Sequence, residues 1–375
     1  MRKAMSNMRI LITGSLGFIG RNFVVRLGEI GGFEISTFDR SDSPALLAER
    51  VSESDAVVHL AGENRPDSVE DFTHVNLGLT QQVCEAVVTA ARKIPIIFTS
   101  STQSELDNPY GVSKKAAELA LEKFASSSNN PTVIYRLPGV FGKWCKPNYN
   151  SVVATFCHNI VHDLPIQIND PERALDLVYI DDVVACLLNS LLNISDGLSY
   201  HDVTPTYSLS LRELASQLVS FKECRESLVI PQVGVGLMRA LYATYVSYLP
   251  VEKFSYDVVS HSDDRGTFVE MLKTRDSGQF SYFTAHPGIT RGGHYHHTKT
   301  EKFLVIKGNA KYRFRNLAGG EVVEIESTGE DPVIVETIPG WTHDITNVGS
   351  DELVVMLWAN EIFDREKPDT IICKV

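Results

Sequence analysis

Residues 9–13, Arg-Ile-Leu-Ile-Thr, form a short unbroken apolar run, the pattern of a strand covered on both faces in a parallel sheet. A glycine-spaced turn follows, and then a helical pattern over 21–27. The alternation repeats. Strands are predicted at 33–38, 54–62 and 94–99, with helices at 69–91 and from 110 to about 124. Further on, a helix is predicted at 152–161, a strand at 175–182 (LDLVYIDD), and a helical segment at 234–248 closed by Leu249-Pro250. Strands alternating with helices predict an α/β domain with a doubly wound parallel sheet.

After Pro250 the period changes. Short strands are predicted at 267–272, 280–285, 303–306, 310–314, 322–325, 333–337 and 353–358, separated by Pro-Gly, Lys-Gly-Asn, Ala-Gly-Gly and Asn-Val-Gly-Ser turns. Strands this frequent, with almost no helical pattern, predict an all-β domain, a small barrel or jelly roll. The expected division is 1–250 and 251–375. A length of 375 residues, above that of one typical core, agrees with two domains.

Composition sets bounds. With 43% hydrophobic and 22% charged residues the chain is ordinary for a globular protein. A net charge of −12 argues against a general nucleic-acid or membrane-surface binder. Six cysteines (84, 145, 157, 186, 224 and 373) make no CxxC pair, as expected of reduced thiols. The opening MRKAMSN is too short and polar for a secretory leader, and no apolar run approaches a bilayer span. A soluble cytoplasmic protein is expected.

Candidate chemistry comes first from Gly14, Gly17 and Gly20, between the first strand and its helix. Glycines at that spacing permit a tight turn and bring backbone N–H groups to a pyrophosphate, and the helix N-terminus adds partial positive charge. Three glycines alone are a weak signal; the strand-loop-helix context makes it the mark of a Rossmann fold. About twenty residues on, Asp39-Arg40 stand where such a fold meets the adenosine ribose. Asp39 on a 2′-hydroxyl would favour NAD, and Arg40 on a 2′-phosphate NADP. NADPH is the expected cofactor, with NAD as the alternative.

Ser100-Ser101-Thr102 end the strand predicted at 94–99, and Tyr110-Gly-Val-Ser-Lys114 opens the next helix. Tyrosine and lysine four apart share a helix face. A lysine ammonium there is expected to depress the phenol pKa and to hold the cofactor ribose. Tyr110 can then protonate a developing alkoxide while Ser101 orients the carbonyl.

In the second domain, GITRGGHYHHTKTEKFLVIKG (288–308) places His294, His296 and Glu301 close together, and PGWTHDITN adds His343. Histidines one residue apart project to the same face of a strand. With a carboxylate just beyond and a histidine from a later strand, they would close an N,O site for a divalent metal. Zinc is expected first because imidazole suits it, with iron, manganese and nickel behind; His297 is the substitute if the strand register differs.

The GxxGxxG loop, HLAG at 59–62, the FTSS strand, YGVSK, YRLPGVFG (135–142) and LDLVYIDDVV (175–184) resemble the extended short-chain dehydrogenase/reductase family. The resemblance covers roughly residues 8–245. It implies Tyr110 as the acid, Lys114 as its partner and Ser101 as the hydroxyl donor. Phe18, Ile19, Leu60 and Ala61 would join the glycines, Asp39 and Arg40 around the cofactor. Dehydratases of this family carry Asp-Glu after the strand-end hydroxyl residue; Thr102-Gln103 stand here, which favours plain oxidation or reduction. Nucleotide-sugar contacts in the family fall in the later loops, implying Lys143, Asn148 and Asn150, with Arg173 for a diphosphate.

The second half resembles a cupin. Gly288, His294-x-His296, Glu301 and Gly308 match the spacing of the first cupin motif, and Gly340-x-x-His343-x-x-x-Asn347 the core of the second. Within cupins, HSDDRGTFVEML (261–272) and GITRGGHYH look like the deoxysugar-nucleotide 3,5-epimerases of the RmlC type. Those enzymes carry a catalytic histidine at the position of His294 and bind no metal, whereas His296 and Glu301 complete a ligand set here. The two halves in this order resemble bifunctional UDP-sugar reductase/epimerases of the CapF/WbjC type, which act in capsule and O-antigen synthesis. That resemblance implies a UDP-linked 4-keto-6-deoxy-N-acetylhexosamine as substrate, epimerised at C3 and reduced at C4. The product would be a UDP-2-acetamido-2,6-dideoxy-L-talose, on the route to UDP-N-acetyl-L-fucosamine. It also implies a homodimer or larger homo-oligomer. Two rivals are a single-function NAD-dependent epimerase or dehydrogenase with a structural cupin, and a non-enzymatic NADP or ligand sensor.

Overall fold

The computed structural model describes residues 7–65, 68–263, 266–269, 272–274, 278–361 and 366–375. The chain forms two compact units. The first comprises Met1–Phe141, Asn148–Ser151 and Leu175–Ser208; the second comprises Gly142–Pro147, Val152–Ala174 and Leu209–Val375.

In the first unit the apolar runs form one six-stranded sheet. Its order is Phe33–Phe38, Met8–Thr13, Ala56–His59, Ile96–Ser101, Thr132–Leu137 and Leu198–His201, with every neighbouring pair parallel. Ile10, Leu11, Ile12, Val57, Val58 and Ile97 are fully buried, as strands covered on both faces require. Helices Pro44–Glu53, Leu79–Thr89 and Pro109–Ser128 close over Leu11, Val57, Ile96 and Ile134. Helices Phe18–Ile30 and Ile180–Leu192 pack on each other outside that cluster. The strand order reverses at Met8–Thr13, whose neighbours are the second and third strands. At such a reversal the loops leaving adjacent strands diverge and open a crevice for ligands.

The predicted helix over 69–91 is interrupted. Val69–Phe72 and Leu79–Thr89 are α-helical, while Thr73–Gly78 between them is wound as a π-helix. Wider turns of this kind recur at functional positions. Here the π-turn presents Asn76 inward, where its amide donates to the Glu63 carbonyl and the Ser113 hydroxyl, each at 2.9 Å, and accepts the Glu63 N–H at 2.8 Å. The loop after the third strand is thereby tied to the helix that carries Tyr110 and Lys114.

The second unit contains two five-stranded sheets in which every neighbouring pair is antiparallel. One runs Ser255–Asp257, Val333–Glu336, Glu301–Lys307, Leu353–Ala359 and Gln279–Ala285. The other runs Val323–Thr328, Asn309–Asn316, Trp341–Asn347, Thr290–Tyr295 and Ile371–Ile372. They face one another across aromatic contacts: Phe303 of the first lies 5.9 Å from Tyr312 and 6.4 Å from His343 of the second, centre to centre. These are the sheets of the all-β domain expected from the change in period, cupin-like as the resemblance implies. Of the strand expected at 267–272, Gly266–Val269 is formed, and Glu270 and Met271 lie outside the described residues, as do Asp264 and Arg265 of the epimerase-like stretch. Helices Val152–Val161, Leu211–Ser227 and Gly236–Val246 pack together within this unit. Leu211–Ser227 begins at a capping box, with Ser210 and Glu213 bonding each other's backbone N–H.

Candidate functional site

The carboxyl ends of the first and third strands build the first site. Gly14 has φ +70°, and a Cβ there would lie 2.7 Å from the Ala61 backbone, so only glycine lets the two loops cross. Ala61 N–H in turn donates to Thr13 Oγ1 at 3.2 Å, and Leu60 N–H to the Thr13 carbonyl at 3.2 Å. Gly17 caps helix Phe18–Ile30, which presents Phe18 and Ile19 in its first turn, with Gly20 behind them against the loop. Asp39 faces the same loop: Ser15 Oγ donates to it at 2.5 Å and Leu16 N–H at 3.2 Å. Arg40 extends into solvent, 83% exposed, with its guanidinium 2.6 Å from Glu63. Glu63 also accepts the Tyr149 hydroxyl and the Asn64 and Arg65 N–H groups, each at 3.0 Å. Nothing in the sequence pattern singled out Glu63 or Asn76, because each works through its fold neighbours.

Ser101 ends strand Ile96–Ser101, and Asn108 caps helix Pro109–Ser128 by accepting the Gly111 N–H at 2.9 Å. Tyr110 therefore sits half-buried in the first helical turn, its ring 5.9 Å from Phe72 and its phenol hydrogen-bonded with Ser101. Lys114, one turn on, is buried. Its ammonium donates to the Thr99 carbonyl at 2.7 Å and lies 4.4 Å from the centre of the Phe98 ring. Burial pulls Lys114 down to about 8, against the opposing pull of the Glu118 carboxylate. The expected depression of the tyrosine corrects to the opposite sign. Burial pushes the Tyr110 phenol up, and the Ser101 hydrogen bond offsets only part of that. The reason is burial, which outweighs the Ser101 bond, while the Lys114 ammonium bonds Thr99. A pocket lined by Thr102, Glu105, Arg136, Tyr200, His201 and Asp202 includes the residue that follows Ser101.

The four residues expected at the substrate fall in different places. Asn148 and Asn150 are exposed in the first unit, and the Asn148 and Tyr149 carbonyls accept from Arg65 at 3.3 and 2.7 Å. Lys143 and Arg173 belong to the second unit. Lys143 is buried with its ammonium 5.5 Å from the Trp144 ring centre, and Arg173 is exposed.

In the second unit His294, His296, Glu301 and His343 converge, one ligand atom from each lying within 4.8 Å of all the others. His294 and His343 are register partners on neighbouring strands, next to an irregularity after Gly292. His296 lies one residue past the end of strand Thr290–Tyr295, so the turn rather than the pleat aims its ring. His297 stays out of the cluster, its ring against Tyr295 at 5.7 Å. Ligands about 2.1 Å from one tetrahedral centre lie roughly 3.4 Å apart. Glu301 Oε2 is 3.1 Å from His296 Nε2 and 3.6 Å from His343 Nε2, while Lys299 holds Oε1 at 3.0 Å. Both ring nitrogens of the buried His343 lack a hydrogen-bond partner. An orphaned imidazole aimed at a carboxylate and two further imidazoles fits a divalent metal site. Burial pushes His294 down to about 3, helped by its two imidazole neighbours, which keeps it the neutral ligand form. Burial pushes Glu301 up, but its neighbours, His296 first and Lys299 with it, prevail and hold it well below the usual carboxylate range.

A dinucleotide-binding parallel sheet with a Ser-Tyr-Lys set, followed by a cupin-like pair of sheets with an N,O cluster, defines a two-part NAD(P)-binding protein. The sequence matches the NAD dependent epimerase/dehydratase family over residues 10–204 and the polysaccharide biosynthesis C-terminal domain over residues 261–371. It is 57% identical over 369 residues to a UDP-2-acetamido-2,6-beta-L-arabino-hexul-4-ose reductase of Pseudomonas aeruginosa, covering 98% of this chain and 99% of that one. The crystal structure of the capsular polysaccharide assembling protein CapF from Staphylococcus aureus shares 39% identity and a TM-score of 0.67, covering 98% of this chain and all of that one. A Thermus thermophilus UDP-glucose 4-epimerase solved with NAD, 21% identical, shares the fold with a TM-score of 0.52 over 64% of this chain and 99% of its own. The chain belongs to the NAD dependent epimerase/dehydratase family and, within it, to the UDP-sugar reductases of the CapF/WbjC type. Among the described residues no helix is long and apolar enough to cross a membrane.

Proposed function

We propose that this chain epimerises and then reduces a UDP-2-acetamido-2,6-dideoxy-4-keto-hexose, with residues 251–375 acting at C3 and residues 1–250 delivering hydride from NADPH to C4. The product is UDP-2-acetamido-2,6-dideoxy-L-talose. One observation carries the reading: a hydride-transfer set and a buried, metal-competent imidazole–carboxylate cluster occupy a single chain that aligns end to end with a 4-ketose reductase.

In the reduction, Ser101 orients the C4 carbonyl and Tyr110 gives its phenolic proton to the oxygen as hydride arrives at carbon. NADPH, when bound, would supply the hydride and Tyr110 the proton, so the ketone gains one of each. Lys114 holds the nicotinamide ribose and supplies positive charge beside Tyr110. Gly14, Gly17, Gly20 and the first turn at Phe18 and Ile19 receive the pyrophosphate, while Leu60 and Ala61 line the crevice. Asp39 and Arg40 meet the adenosine ribose, and Arg40 favours the 2′-phosphate of NADPH. Lys143, Asn148, Asn150 and Arg173 are the proposed contacts to the nucleotide sugar.

In the epimerisation, the C3 proton is acidic because C3 is α to the ketone, and its return on the other face inverts the centre. His294, His296, Glu301 and His343 would hold a divalent metal, zinc by preference, and the bound ion would supply Lewis-acid stabilisation of enolate charge. Reduction after inversion traps the less favoured epimer, which gives the fusion a chemical purpose. The chain acts in the cytoplasm as a homodimer or larger homo-oligomer. Incubation with NADPH and the 4-keto UDP-sugar tests the reading. One NADPH oxidised per sugar is expected, whereas turnover without net redox would move the assignment to a single-function epimerase.

A further inference from the structure

Asp369 ties down the loop between His296 and Glu301. Its carboxylate accepts three successive backbone N–H groups: His297 at 2.9 Å, Thr298 at 2.7 Å and Lys299 at 2.7 Å. The Thr298 hydroxyl adds a fourth bond at 3.1 Å. Its own backbone carbonyl lies 2.5 Å from His296 Nδ1. A carbonyl oxygen only accepts, so Nδ1 carries a proton; in the neutral, metal-ligating form of the ring Nε2, which faces Glu301 at 3.1 Å, is then the ligand atom.

The segment after Asp369 continues along the same sheet. Ile371 and Ile372 pair with Tyr295 and His294, and Cys373 N–H donates to the Gly293 carbonyl at 2.8 Å. The Thr342 hydroxyl, beside His343, donates to the Cys373 carbonyl. Three of the four converging side chains are thus adjacent to a residue tied to the stretch 369–373. Arg239 fastens the other side of the loop, bonding the Thr298 hydroxyl and lying 4.0 Å from Asp369.

We infer that Asp369 is a positioning residue for the metal cluster: its carboxylate pins the 297–299 backbone, and its carbonyl fixes the tautomer and ring plane of His296. The inference rests on the metal reading given above. Partners of ligating histidines that orient the ring and set its tautomer typically change metal affinity by about 10- to 100-fold when removed. Removing the carboxylate releases residue 369, so the carbonyl is lost to His296 even though the main chain is unaltered.

The test uses the full chain, stripped with a chelator and titrated with Zn2+ against a chromophoric competitor, with Co2+ loaded separately to read ligand geometry from its d–d absorption. Asp369→Ala is expected to weaken Zn2+ binding about 10- to 100-fold and to alter the Co2+ spectrum. NADPH binding, read from residues far along the chain, should be unchanged. Asp369→Asn, which keeps one acceptor oxygen at the same volume, should fall between and decides the matter if the alanine variant does not fold. Wild-type affinity and an unaltered Co2+ spectrum in the folded variant would overturn the positioning role while leaving the metal reading intact. A wild-type chain that takes up neither ion would overturn the metal reading and this role with it.

Discussion

The Lys114 ammonium donates to the Thr99 carbonyl at 2.7 Å, while the Tyr110 phenol, from four residues earlier on the same helix, is hydrogen-bonded with Ser101. Each member of the proposed proton-transfer pair thus bonds a residue at the end of strand Ile96–Ser101. The lysine is buried against Phe98 and lowered to about 8, while the tyrosine is raised by burial. The free protein meets its substrate with a neutral phenol, the form that can give a proton.

A pH dependence follows from Lys114. Its ammonium is present below about 8 and lost above it, far earlier than for an exposed lysine. kcat/KM for ketone reduction is expected to fall as pH rises through about 8. In Lys114→Arg, whose guanidinium stays charged, the alkaline limb should disappear even if activity is lower. A pH–rate profile of both proteins checks this, and an unchanged limb in the arginine variant would assign it elsewhere.

Tyr110→Phe removes the proton donor and leaves the ring against Phe72. General acid catalysis contributes about 10²- to 10⁴-fold, so kcat for reduction should fall by that factor. NADPH affinity, measured by fluorescence titration, should stay within about twofold; retained turnover would assign the proton to another group, and a biological role left intact would support the sensor reading.

Cofactor choice turns on Arg40. The guanidinium is exposed and paired with Glu63 at 2.6 Å, so it must be shared with any 2′-phosphate. Arg40→Ala should weaken NADPH about tenfold, within the range of a charged hydrogen bond near solvent, and leave NADH unaffected. Parallel titrations with both nucleotides decide it. Equal losses would point to the loop held by Glu63 rather than to phosphate recognition.

The cluster in the second unit should separate the two activities. His343→Ala removes a buried ring with no hydrogen-bond partner of its own. Bound metal, measured by elemental analysis, should fall to near zero. Exchange at C3 should fall with it, while hydride transfer to a ketone that needs no epimerisation stays near the wild-type rate. Loss of both together would join the two units in one reaction.

Much of this was legible in the sequence for physical reasons. The runs at 9–13, 54–62 and 94–99 were readable because strands covered on both faces tolerate little but apolar residues. Gly14 was readable because a loop crossing Ala61 at φ +70° admits nothing larger. His294, His296, Glu301 and His343 were readable because few ordinary surfaces collect those side chains at that spacing. Glu63, Asn76 and Asp369 were not, since each is a common polar residue whose partners lie on other segments and acquire meaning only through the fold. The π-turn at Thr73–Gly78 is a change of winding with no side-chain periodicity of its own. The Ser210 and Glu213 capping box did announce helix Leu211–Ser227 and stood outside the elements drawn from the pattern. The direction of the Tyr110 shift depends on how far the fold buries the phenol, which spacing alone does not set.

The central claim is that one ketone serves first to acidify C3 and then to accept hydride. The most direct measurement runs the purified protein with NADPH and a UDP-4-keto-6-deoxy-N-acetylhexosamine in deuterated water, with the product read by NMR. Deuterium at C3 of a sugar inverted there and reduced at C4 is the predicted result. A product reduced at C4 but carrying protium at C3 would contradict it.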